Sequence, residues 1–159
     1  SRVVKNITEG FSGSQKAFEQ DMIAGGGTIG SRGAERIEKT NKTKVVEINR
    51  QRCEKISRNL LDTTVLHGDI TDKNLLASED IEDIDLFFSV TSNDETNILS
   101  ALLAKRLGCR HVMAIVAKST YIDLIEGKSI NVVVSPQQAT LSSILAEVRR
   151  SKVNCIYAC

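Results

Sequence analysis

The chain has 159 residues, 41% of them hydrophobic and 26% charged, with 21 Lys plus Arg against 20 Asp plus Glu for a net charge of +1. That length suits one domain with a full core, and the balanced charge gives no bulk reason to expect nucleic acid or an anionic membrane surface as partner. No apolar stretch approaches the roughly 20 residues that span a bilayer, and the opening segment lacks the apolar core of a secretory signal, so a membrane role is expected to come through a partner.

In chain order, residues 1–18 are polar, contain Gly10 and Gly13, and read as a helix or tail of a preceding unit. A short apolar run followed by a helical stretch then repeats. The runs are Met22-Ile23-Ala24, Val45-Val46, Thr64-Val65-Leu66, Asp85-Leu86-Phe87-Phe88, Val112-Met113-Ala114-Ile115-Val116 and Val132-Val133-Val134. Several are continuously apolar, as expected of parallel strands covered on both faces. Asn49 and Thr71 are placed to cap the helices after the second and third strands. Ser92-Asn93-Asp94-Glu95 reads as a capping box, and residues 94–106 place Ile98, Leu99, Leu102 and Leu103 on one helical face. Ser135-Pro136-Gln137-Gln138 starts a further helix, 137–149, with Leu141, Ile144, Leu145 and Val148 on one side.

Six strands alternating with helices predict an α/β fold, a doubly wound parallel Rossmann sheet of order 3-2-1-4-5-6. Right-handed crossovers put the carboxyl ends of all strands along one edge. Residues 19–150 are read as the Rossmann domain, and 151–159 as the start of a further subdomain, since Lys152–Tyr157 resembles a strand. Four cysteines, Cys53, Cys109, Cys155 and Cys159, form no CxxC pair or Cys/His cluster, so reduced thiols are expected rather than a zinc site.

The chemistry concentrates at strand ends. Met22-Ile23-Ala24-Gly25-Gly26-Gly27-Thr28-Ile29-Gly30 is a strand running into GxGxxG. Gly25 permits the tight turn, Gly27 lets backbone approach a pyrophosphate, and Gly30 lets the helix pack close. The pyrophosphate is expected on the helix N-terminus, where free N–H groups and the dipole favour an anion. Glu47 ends the second strand, 22 residues after Gly25, where a carboxylate hydrogen-bonds the ribose hydroxyls and repels a 2′-phosphate. Arg50, three residues on, weakens that exclusion. His67-Gly68-Asp69 ends the third strand, with Asp69 placed for the adenine amino group or, alternatively, for a simple strand-to-helix turn. Thr91 and Ser92, after the fourth strand, would face the ribose and second phosphate or cap a helix.

A general acid beside a hydride acceptor is missing. His111 begins the fifth strand at the opposite edge, His67 sits at the adenine end, and no Tyr-x-x-x-Lys pair occurs. The residues support binding better than turnover.

Taken together, the Ala24–Gly30 loop, Val-Val-Glu-Ile-Asn-Arg, His-Gly-Asp, the run Val90–Lys105 and Val-Ser-Pro-Gln-Gln-Ala-Thr resemble the TrkA family of RCK-type (KTN) regulatory proteins of bacterial Trk potassium uptake. The resemblance covers about residues 20–155. It implies a domain that binds NAD(H), or ATP or ADP, and gates a membrane potassium-translocating subunit. Such a protein would be peripheral to the cytoplasmic side of the bacterial inner membrane and assembled as a homo-oligomer. It also implies ligand contacts at Gly25, Gly26, Gly27, Thr28, Ile29, Glu47, Thr91 and Ser92. Two departures stand out: Val116 occupies about the position of an arginine that reaches the phosphates in some members, leaving Lys118 as the nearest base, and Asp21 is an unusual charge at a strand start. An NAD-dependent oxidoreductase domain, or an RCK domain of an efflux antiporter or channel, remain the other readings.

Overall fold

The computed structural model describes residues 19–125, 130 and 132–134. Six parallel strands form one sheet in the order β3-β2-β1-β4-β5-β6. They are β1 (Gln20–Ala24), β2 (Lys42–Glu47), β3 (Thr64–His67), β4 (Leu86–Ser89), β5 (His111–Ile115) and β6 (Val132–Val134). Helices α1 (Thr28–Ile37), α2 (Arg50–Asn59), α3 (Lys73–Ser78), α4 (Asp94–Arg106) and α5 (Ser119–Ile125) connect them, with a 3-10 turn at Ile81–Asp83.

The expected strand order is observed, and its physical reason is visible in the register. β1 lies between β2 and β4, with Ile23 beside Val45 on one side and Phe88 on the other. Its residues Met22, Ile23 and Ala24 are fully buried. Alternate side chains enter two cores. Met22, Phe87 and Val112 pack with Leu76 of α3 and with Ala101 and Ala104 of α4. Ile23, Val45, Phe88 and Met113 pack with Ala34 and Ile37 of α1 and Ile56 of α2. Burying both faces is what the continuous apolar runs require.

At the amino edge, the charge at Asp21 is accommodated by Asn41, whose Nδ2 donates to Asp21 Oδ2 at 2.9 Å. Glu38, at the end of α1, is buried and accepts from Leu61 N, Asp62 N and the Thr63 hydroxyl at 3.1, 2.8 and 2.7 Å. Burial pushes its pKa up, but these hydrogen bonds together outweigh that and hold it below the usual carboxylate value.

Three local expectations are corrected. Asn49 caps α2 by accepting from Arg52 N, as read, but α3 is capped by Asp72 and not Thr71, whose hydroxyl donates instead to Asp69. Helix α4 is capped by Asn93, one residue beyond Ser92, because the Asn93 side chain reaches Thr96 N at 2.7 Å. The face of α4 on the sheet is Asn97, Ser100, Ala101 and Ala104, whereas Leu99 is 59% exposed and Ile98, Leu102 and Leu103 are only partly buried. Phe87 fills the space in the core it shares with Ala101 and Ala104, so small residues fit on the facing side of the helix and size complementarity overrides the apolar pattern.

The buried thiols Cys53 and Cys109 are free, and burial pushes Cys109 up to about 11. Cys155, Cys159, the Ser135-Pro136 cap, helix 137–149 and the segments 1–18 and 151–159 lie outside the described residues. Among the described residues no helix is long and apolar enough to cross a membrane.

Candidate functional site

A cleft of about 690 Å³ opens at the carboxyl edge of the sheet, over the point where connections leave β1 toward β2 and β4 toward β5. That is the switch point, where the loops on either side diverge and leave room for a ligand.

The glycine loop forms its floor. Gly25 adopts φ +118°, a left-handed conformation that favours glycine, and its N–H donates to Val46 O at 2.8 Å. Gly27 is the N-cap of α1 and offers no side chain to the helix end. The first helix-type bond runs from Ser31 N to Gly27 O, so the amides of residues 28–30 precede it. No acidic residue occupies the first turn. A Cβ on Gly27 would meet nothing within 4 Å, whereas one on Gly30 would collide with Gly25 O. Gly27 therefore faces open space, and Gly30 is the packing glycine.

Glu47 is 4% exposed at the end of β2 and still reaches the cleft wall. Its Oε1 accepts from Gly26 N at 2.6 Å and its Oε2 from Asn49 N at 2.8 Å. The carboxylate thus ties the glycine loop to the start of α2. Arg52 stands 3.6 Å from Oε2 and lines the cleft. Arg50 is exposed at the first position of α2 and is not in the wall. Arg52 is the base that the sequence reading missed: it lies two residues further along the same helix.

On the β3 side, Gly68 and Asp69 line the cleft beside Ile48 and Ile70. Asp69 Oδ1 accepts from the Thr71 hydroxyl at 2.7 Å and from Thr71 N at 2.9 Å, and these bonds lower its pKa. His67 Nε2 lies 3.0 Å from Ile48 O, which fixes the loop after β2. His111, at the opposite edge, has its pKa lowered first by burial.

On the β4 side the wall is Thr91, Ser92 and the first turn of α4. Asn97, wholly buried, was not singled out in the sequence. Its Oδ1 accepts from Thr91 N and the Thr91 hydroxyl, at 2.9 and 2.7 Å. Its Nδ2 donates to Thr91 O and to Ile115 O at 3.0 and 2.8 Å. Asp94 accepts from Ala117 N and Lys118 N, both with bonds at 3.0 Å. Lys118 itself points to Glu95, 4.0 Å away, and lies 5.1 Å over the Tyr121 ring, so it does not replace the missing arginine in the wall.

Of the residues singled out in the sequence, the structure thus brings Gly25, Gly27, Thr28, Ile29, Glu47, Gly68, Asp69, Thr91 and Ser92 to one cleft. Gly26, Gly30, Asn49 and Arg50 stand behind or beside it.

Fold and cleft together define a Rossmann-type doubly wound α/β domain with an open cleft at its switch point. Residues 22–136 match the family model of the TrkA-N domain, and the chain belongs to that family. It is 42% identical over 153 residues to the Trk system potassium uptake protein TrkA of Vibrio alginolyticus, covering 96% of this chain and 33% of that protein. It is 45% identical over 139 residues to the TrkA of Halomonas elongata, covering 87% of this chain and 30% of that one. The chain therefore spans about a third of the length of these curated relatives. Among solved structures, the TrkA-N domain of the inner membrane protein ybaL from Escherichia coli superposes with TM-score 0.66 at 15% identity, covering 85% of this chain and 94% of that one. The GsuK channel bound to NAD superposes with TM-score 0.64 at 19% identity, covering 75% of this chain and 22% of that one. At these identities the structures establish the shared fold.

Proposed function

We propose that this chain is the nucleotide-binding unit of a regulatory protein of a bacterial potassium-uptake system, and that its ligand is NAD(H). The observation that carries the reading is the uncapped N-terminus of α1, presented by Gly27 to a cleft that crosses the switch point, with Glu47 at one end. Free amides and the helix dipole suit a pyrophosphate there. Glu47 then takes the adenosine ribose through lone pairs that Gly26 and Asn49 leave open, since each carboxylate oxygen accepts more than one bond. Gly68 and Asp69 take the adenine side, and Thr91 and Ser92 the second half of the dinucleotide. The name shared by the curated relatives supports the potassium-uptake setting, and the GsuK channel bound to NAD supports the ligand class.

By the same reading the domain regulates and does not catalyse. The cleft wall, among the described residues, holds no His, Lys, Tyr or Cys, and Glu47, Asp69 and Asp94 are engaged by backbone amides. A ligand shifts an assembly only through its different affinity for two states. A dinucleotide touching both halves of the sheet has that capacity, passed to a membrane potassium-translocating subunit at the cytoplasmic face, within a homo-oligomer. Calorimetric titration of the chain with NADH, NAD, ADP and ATP tests the site: saturable binding of a dinucleotide is expected, and absence of heat with all four overturns the reading.

A further inference from the structure

We propose that Asn97 is a positioning residue for the half of the ligand that lies over β4, acting through Thr91. The inference rests on the dinucleotide reading of the cleft and deepens it. Four bonds converge on one buried amide: both backbone groups and the hydroxyl of Thr91, and the carbonyl at the end of β5. An amide is the side chain that can do this, since it accepts twice through its oxygen and donates twice through its nitrogen. Asn97 is itself held, because its own carbonyl accepts from the fully buried Ser89 hydroxyl at 2.7 Å.

Thr91 is the link to the ligand. It lines the cleft, and a Cβ on Gly25 would lie 3.1 Å from Thr91 N, so its backbone also abuts the glycine loop. The Thr91 N–H is spent on Asn97, and its hydroxyl donates to Asn97 Oδ1 while accepting from Asn93 N at 3.1 Å. Thr91 therefore offers the ligand a fixed surface and not a free donor. Ser92 is exposed beside it and carries the donor role on this side. Glu47, Gly68 and Asp69, which serve the adenosine half, have no hydrogen bond to Asn97 or Thr91.

This division sets the test. In Asn97→Ala, NADH affinity should fall about tenfold, whereas ADP, which lacks the second nucleoside, should change by less than about twofold. Thr91→Val removes the hydroxyl's bonds to Asn97 and Asn93 but keeps both backbone bonds to Asn97, and should give the same split at smaller amplitude, which keeps the comparison available if Asn97→Ala does not fold. Equal losses for NADH and ADP, or no loss for NADH, overturn the inference. Failure of the unaltered chain to bind either ligand instead overturns the dinucleotide reading, and this inference with it.

Discussion

Gly27 and Gly30 stand three residues apart, and the space around them differs completely. Beside Gly27 a Cβ meets nothing within 4 Å, so Gly27→Val should leave the fold intact and remove NADH binding by filling the pyrophosphate's approach. A Cβ at Gly30 collides with Gly25 O, so Gly30→Ala should destabilise by about 1–3 kcal/mol before any ligand is added. Thermal unfolding and NADH titration of both variants check the pair: unchanged NADH affinity in folded Gly27→Val would remove the loop from the site. Glu47 carries the next prediction. NADH should bind at least about tenfold better than NADPH, because the buried carboxylate repels a 2′-phosphate. Glu47→Gln should narrow that gap and also lower stability, since Gly26 N and Asn49 N donate to different carboxylate oxygens and Gln turns one of them into an NH2 that faces a donor. Equal binding of NADH and NADPH by the unaltered chain would place Glu47 away from the ribose. That Gly25, Gly27 and Glu47 meet at one cleft was legible from spacing alone. Arg52 and Asn97 were not: one exposed arginine on a helix looks like its neighbour Arg50, and a polar residue in a helix reads as solvent-facing. A signal for Asn97 did exist, because Asn97, Ser100, Ala101 and Ala104 repeat at i, i+3, i+4 and i+7.

Among the elements, helices were easier to find than to orient. The bounds of α4 agree with the sequence reading at Asp94–Arg106, yet its buried stripe is the small-residue one. A hydrophobic pattern reports which residues avoid water, whereas how closely a helix approaches a sheet depends on the partner's volume, here Phe87. The caps shifted by one residue at α3 and α4 because Ser, Thr, Asp and Asn all suit the role and neighbours compete for it. Glu38 shows an element boundary held by charge: the end of α1 accepts from three successive residues between α2 and β3. Its folded pKa is depressed, so its contribution is present above the unfolded value near about 4.3 and is lost as pH falls through the folded value. Glu38→Gln should therefore cost about 1–3 kcal/mol at pH 7. The difference from the unaltered chain should shrink below about pH 4. Urea unfolding at both pH values measures it, and a difference that does not change with pH would sink the assignment.

At the scale of the whole molecule the topology was legible because parallel strands, right-handed crossovers and the glycine loop constrain one another. The sign of the cleft was not, since it depends on which charges face inward. Among the described residues the wall carries Glu47, Asp69 and Asp94 against Arg52, while Lys118 is directed to Glu95 and away from it. The attraction for phosphate then comes from backbone amides at the start of α1, a short-range source, set among wall side chains of net negative charge. A ligand gains from the amides according to how its pyrophosphate fits, and loses according to its total charge. ATP brings more negative charge than NADH and no second nucleoside to contact the Thr91 side. At low ionic strength NADH should bind about tenfold or more tightly than ATP. Raising salt to about 0.15 M, where the Debye length is about 8 Å, should narrow the gap by screening the repulsion, and ATP affinity should hold or rise. Titration of both ligands across that range decides the matter. If ATP binds more tightly than NADH at low salt, and weakens as salt is added, the site is governed by basic groups and the charge balance of this wall is not what selects the ligand.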